Sequence, residues 1–212
     1  MNDRHLNFAD RCITELDNAL KVVAARSRAQ RAVPAGKGDS ELQEADHTLV
    51  AGLMRVNHSG EIAAQALYRG QALVARDPEL RAHLLAAADD EHDHLAWCQQ
   101  RTEELGGATS KLAPLWYAGS FAIGMAAGLA GDKVSLGFLA ETEKQVSDHL
   151  AGHLQRLPAE DHASRAIIEQ MRDDEIRHGD SAIAQGGAPL PEVAKNSMRM
   201  VAKIMTSVSY RL

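Results

Sequence analysis

Cysteine is almost missing from this chain. Cys12 and Cys98 are the only two in 212 residues, and they form no C-x-x-C pair. That excludes a disulfide framework and a thiolate-held iron or structural zinc centre, and it reads as reduced thiols of a cytoplasmic setting. Aromatic residues make up only 4% and β-branched runs are few, whereas alanine is abundant, so helices are favoured over sheets. There is no H-E-x-x-H, which excludes a zincin protease, and no G-x-G-x-x-G behind a strand pattern, which excludes a built-in dinucleotide domain. Positive charge is not in excess. Asp and Glu outnumber Lys and Arg by 29 to 23, for a net charge of −6, which argues against nucleic acid as a partner. The opening Met1-Asn2-Asp3-Arg4-His5 has neither the apolar run of a signal peptide nor the Arg/Ser-rich, acid-poor character of a transit peptide.

What the chain does have is a motif written twice: Asp89-Asp90-Glu91-His92-Asp93-His94 and Asp173-Asp174-Glu175-Ile176-Arg177-His178. Each is Glu-x-x-His behind two aspartates. On a helix, positions i and i+3 share a face with Cβ atoms roughly 5–6 Å apart, so the carboxylate and the imidazole can ligate one ion. Glu-x-x-His alone is weak, with roughly 0.7 matches expected by chance in a chain of this composition. Glu44 to His47 is such a match and carries no Asp-Asp prefix.

The partner glutamates follow from turn arithmetic. Arg76-Asp77-Pro78 reads as a helix break, with Asp77 as N-cap and Pro78 first in the next helix. Glu61 lies as far before residue 76 as Glu91 lies after it, so an antiparallel hairpin sets both on one level, roughly 22 Å from the turn at 1.5 Å per residue. Pro158-Ala159-Glu160-Asp161 is the second turn, and residue 159 is the midpoint of Glu143 and Glu175. The pattern Glu…Glu-x-x-His thus occurs twice, each time symmetric about a turn. This is the donor set of a ferritin-like four-helix bundle, with Glu61, Glu91, His94, Glu143, Glu175 and His178 as metal ligands. Four carboxylates and two imidazoles favour iron or manganese and offset two divalent charges. Asp90 and Asp174 are expected behind the ligands, each bonding the histidine of the opposite motif, and His149 is a further candidate there. Tyr68, at i+7 from Glu61, reads as a core tyrosine. His58 reads as a surface or core histidine outside the ligand set.

The expected organisation is an N-terminal helix and linker over 1–45 and a bundle domain over 46–212. In order, helices are expected at 8–28, 46–76, 78–105, 132–157 and 160–184, and after Pro191. Gly36 and Gly38 fall in the linker 31–45, and Gly106-Gly107 and Gly186-Gly187 act as stops. Gly60 inside its helix reads either as room for a close helix contact near the metals or as a tolerated glycine. The stretch from Leu112 to Gly131 carries no charge and is long enough to span a bilayer. A span would place the two hairpins on opposite sides of the membrane, so it reads instead as the long crossover of the bundle, buried or dipping into one leaflet. The last helix sets Lys195, Arg199 and Lys203 beside an apolar face, a pattern that suits a membrane surface or packing on the bundle.

The stretch Arg55-Val56-Asn57-His58-Ser59-Gly60-Glu61, with Asp90-Glu91-x-x-His94, Glu143, Asp174-Glu175-x-x-His178, the apolar crossover and the Tyr-Arg-Leu C-terminus, resembles the demethoxyubiquinone hydroxylases of ubiquinone biosynthesis. The resemblance covers roughly residues 46–212. Leu150 stands where that family often has the tyrosine of a His-Tyr pair. The resemblance implies two iron ions on the same six ligands and an O2-dependent monooxygenase acting on a polyprenyl demethoxyquinol. It also implies NADH as a reductant, peripheral attachment to the cytoplasmic face of the bacterial inner membrane, and a homo-oligomer or a complex of ubiquinone-biosynthesis proteins. The competing expectation from residues alone is a ferritin-like protein of iron oxidation and storage.

Overall fold

In a computed structural model, residues 7–34 and 42–212 are described. The first six residues and the middle of the expected linker, Gly36 and Gly38 included, lie outside the described residues. Seven helices are present and no strand occurs among the described residues: α1 (Phe8–Ala24), α2 (Glu44–Val74), α3 (Pro78–Glu104), α4 (Ala113–Leu129), α5 (Asp132–Arg156), α6 (His162–Ala184) and α7 (Glu192–Ser209). Their ends follow local chemistry. Asn7 and Asp10 close a capping box on α1. Asp77 caps α3 through the Glu79 N–H, with Pro78 in its first turn. Gly106 and Gly186, at φ 73° and 95°, end α3 and α6 in the left-handed region that a side chain rarely adopts.

The hairpins α2–α3 and α5–α6 pack as a four-helix bundle of the ferritin-like type. Two apolar cores fill its ends. Leu53, Met54, Trp97, Leu150, Ile168 and Met171 fill one; Tyr68, Leu84, Ala88, Leu136, Leu139 and Ala182 fill the other. The six expected ligands lie on the level between them.

The crossover stretch forms α4, which lies along α2 rather than leaving the bundle. Among the described residues no helix is long and apolar enough to cross a membrane. The approach is close enough to need glycine: a Cβ at Gly124 would run into the Leu67 carbonyl, and one at Gly70 into the Phe121 carbonyl. Gly60 has open space beside it, so of its two readings it is the tolerated glycine and not a close contact.

Helix α1 turns much of its apolar row outward. Its apolar positions Phe8, Ile13, Leu16 and Leu20 are exposed, whereas Glu15 and Val22 are buried. Glu15 turns inward to Arg69 at 3.5 Å. α7 packs on α2 and α5 and leaves Val193, Met200 and Ile204 exposed. Its basic row is partly engaged: Lys195 pairs with Glu192 at 3.0 Å, and Arg199 reaches Glu141 at 3.7 Å.

Candidate metal centre

The structure gathers all six expected ligands. Glu61, Glu91, His94 and Glu175 bring ligand atoms within 4.8 Å of one another, and so do Glu91, Glu143, Glu175 and His178. Glu91 and Glu175 belong to both groups. Glu61 with His94 completes one half-site, and Glu143 with His178 the other. Both imidazoles face the carboxylates through Nδ1: His94 Nδ1 is 3.1 Å from Glu91 and 3.3 Å from Glu175, and His178 Nδ1 is 3.7–3.8 Å from Glu175, Glu91 and Glu143.

Their outer nitrogens meet the aspartates crosswise. His94 Nε2 lies 3.0 Å from Asp174 Oδ2, and His178 Nε2 lies 3.1 Å from Asp90 Oδ2. The pairing across opposite motifs expected from the spelling Asp-Glu-x-x-His is therefore present. A carboxylate on Nε2–H leaves Nδ1 as the lone-pair nitrogen aimed at the cluster.

Electrostatics say that the cluster is incomplete without cations. Burial, and then the charge of Glu91, push the Glu61 carboxyl well above the ordinary range. Burial and the charges of Glu175 and Glu91 do the same to Glu143. His94 is held well above its ordinary value: burial opposes its charge, but the bonded Asp174 and the nearby carboxylates of Glu175, Glu61 and Glu91 outweigh that. Four carboxylates packed between two apolar cores repel one another unless protons or metal ions intervene. Glu61 Oε2, Glu91 Oε1, Glu143 Oε2, both Glu175 oxygens and His178 Nδ1 are buried without any hydrogen-bond partner. Such orphaned acceptors, all converging on one level, are what bound ions would satisfy, so the donor set fits a pair of hard or borderline divalent metals.

Some residues fall differently from the sequence reading. Tyr68 is more than core: its hydroxyl donates to Glu143 Oε1 at 2.7 Å. His149 is not bonded to a ligand histidine. It rests against His153, with ring centroids 4.1 Å apart, and its Nε2 has no partner. Burial pushes the His58 imidazole down to about 4, so it is a neutral core histidine. The segment after α1, read as featureless linker, contributes Arg31, which bonds both Asp93 and Asp174. Only the basic side chain itself could have signalled this, since the segment has no periodicity.

A groove of about 750 Å³ opens beside the cluster. Glu61 lies in its wall, together with Ala64 and Leu67 of α2, Phe138 and Val146 of α5, and Met198 of α7. The lining is mainly apolar; Asn57 and His149 are among its polar residues on the α2 and α5 walls.

Fold and site together define a ferritin-like helical bundle with a buried carboxylate–imidazole cluster able to hold metal. The chain belongs to the family of the ubiquinone biosynthesis protein COQ7, whose model matches residues 48–209. It is 56% identical over 206 residues to a 3-demethoxyubiquinol 3-hydroxylase of Cupriavidus pinatubonensis, covering 96% of this chain and 100% of that one. It is 54% identical over 215 residues to the protein of that name from Ralstonia pickettii, covering 96% and 99%. The corresponding protein of Dechloromonas aromatica is 55% identical over 203 residues, covering 95% and 98%.

Proposed function

We propose that this chain is a di-iron monooxygenase of ubiquinone biosynthesis that hydroxylates the ring of a polyprenyl demethoxyquinol, 2-polyprenyl-3-methyl-6-methoxy-1,4-benzoquinol, with O2. Family membership and the name shared by its relatives support the reaction class. The observation that carries the substrate is the mainly apolar groove with Glu61 in its wall, since a hydrophobic quinol needs a dry path to the cluster. One oxygen atom of O2 enters the ring and the other leaves as water, with two electrons and two protons taken up. The iron pair, when bound, supplies O2 activation.

The chain's own residues do the rest. Glu61, Glu91, His94, Glu143, Glu175 and His178 hold the ions, and Asp90 and Asp174 set the two imidazoles with Nδ1 inward. Asn57 stands one helical turn before Glu61, and its buried Oδ1 has no protein partner, so it suits a ring hydroxyl as donor. The apolar walls exclude bulk water from the reacting ring. The isoprenoid tail leaves between α4 and α7, where Ile123 and Val201 line the groove and are themselves exposed. Leu115 and Leu129 of α4 and Met200 and Ile204 of α7 are exposed as well and suit a lipid surface. On this reading the protein is peripheral, on the cytoplasmic face of the cell membrane, and works as a homo-oligomer or with other proteins of the pathway. NADH as reductant rests on the family resemblance alone.

Single turnover tests the proposal. The protein is loaded with Fe²⁺ without air, given a short-tailed demethoxyquinol, and exposed to ¹⁸O2. The expected product has gained one ¹⁸O, and the gain disappears in Glu175→Ala. Iron oxidised beside unaltered quinol would overturn the hydroxylase in favour of iron oxidation and storage.

A further inference from the structure

The two half-sites are not braced alike. Asp174 is almost completely buried, and three side chains besides His94 hold it. Arg31 Nη1 donates to Oδ2 at 2.8 Å, Gln170 Nε2 donates to Oδ1 at 2.8 Å, and Arg177 also donates to Oδ1. Asp90 is half-exposed and, among the described residues, accepts from His178 alone. Of the cations, only Arg31 shares with His94 the oxygen that His94 uses.

Arg31 is itself fixed from several directions. Its Nε donates to Asp93 Oδ2 at 2.8 Å, and the Gln30 backbone N–H donates to Asp93 Oδ1 at 2.6 Å. Its guanidinium lies 4.8 Å from the centroid of the Trp97 ring. Ser27 N–H bonds Gln99, and Arg26 pairs with Glu103, so the chain from 26 to 31 runs along α3. A guanidinium with two donors on two carboxylates and a flat face on an indole has few other orientations open to it. Arg31 precedes the residues matched by the family model.

We propose that Arg31 is a positioning residue of the metal centre: it holds Asp174 Oδ2 against His94 Nε2–H, which keeps His94 Nδ1 on the ligand cluster and makes the His94 half-site the tighter of the two. This rests on the cluster being a metal pair. A carboxylate free to rotate would leave the His94 ring free to turn, and outer partners of ligand histidines affect metal affinity by about 10–100-fold. The His178 half-site has no such clamp and is the internal comparison.

The test is a titration of the full-length, metal-free protein with Co²⁺, followed by visible absorption and calorimetry. Wild type is expected to bind in two resolved steps. Arg31→Met, which keeps an unbranched apolar side chain and removes the fork, should weaken the tighter step about tenfold and leave the weaker step unchanged. Arg26→Ala removes a neighbouring contact of the same segment, and both steps should remain as in wild type. Two wild-type steps that Arg31→Met does not move, or moves equally, would overturn the inference while leaving the metal pair standing. An equal effect of Arg26→Ala would also overturn it, since mere attachment of the segment would then suffice. A wild type that binds no Co²⁺ would remove the metal reading itself.

Discussion

The Tyr68 hydroxyl lies 2.7 Å from Glu143 Oε1, and both side chains are buried. Burial and the neighbouring Glu143 charge push the phenol well above its ordinary value, so it stays protonated and remains a donor. The bond ties α2 to α5 at the ligand level and leaves Glu143 Oε2 without a protein partner, free for an ion. We expect Tyr68→Phe to keep the fold, because the ring volume is retained, and to loosen only the half-site of Glu143 and His178. Iron retention there should fall roughly tenfold, as for other outer partners of metal ligands. Metal content after gel filtration checks this: two irons held as firmly as in wild type would mean that the phenol is only packing.

The crossover makes its own prediction. α4 reaches α2 by backbone contact, with Gly124 over the Leu67 carbonyl and Gly70 under the Phe121 carbonyl. Neither obstacle is a side chain that can swing away. Gly124→Ala is therefore expected to destabilise by about 1–3 kcal/mol, the usual range for overpacking. Gly119, on the same helix, has nothing within 4 Å of an added Cβ. Gly119→Ala should be neutral or stabilise by up to about 1 kcal/mol through helix propensity. Urea unfolding of the two variants decides it, and equal effects would mean that α4 does not rest on α2 through these glycines.

Much of this arrangement was legible because helix spacing is local arithmetic. Two turns and the repeat of Glu-x-x-His place Glu61, Glu91, His94, Glu143, Glu175 and His178 on one level, and the doubled aspartates anticipate the crosswise bonds to His94 and His178. What stayed hidden depends on contacts that no period encodes. Arg31 meets Asp174 across 143 positions of sequence, from a segment without helical pattern. Tyr68 shows its face at i+7 but not its hydroxyl partner. The inward turn of Glu15 to Arg69 is likewise not written in the spacing of α1. His149 was a candidate for a place behind the ligands, whereas its ring rests on His153 one turn further along α5.

Acid sensitivity is expected from a residue outside the ligand set. His58 is buried, its Nδ1 has no partner, and burial pushes its imidazole down to about 4. In the unfolded chain the same group titrates near the ordinary value of about 6.5. Between these values the unfolded state holds a proton that the folded state refuses, so stability falls as pH drops through this window and is fully present above it. At pH 5 the loss from this one group is about 2 kcal/mol relative to pH 7. His58→Gln cannot take up the proton, so the metal-free variant should lose about 2 kcal/mol less than metal-free wild type between pH 7 and pH 5. Urea midpoints at the two pH values measure the difference, and parallel losses in both proteins would show that His58 is protonated in the folded state or does not titrate in this window. His153, pushed down to about 3 by burial, then by His149 and Arg156, should act in the same direction, and its substitution should flatten the acid limb in the same way.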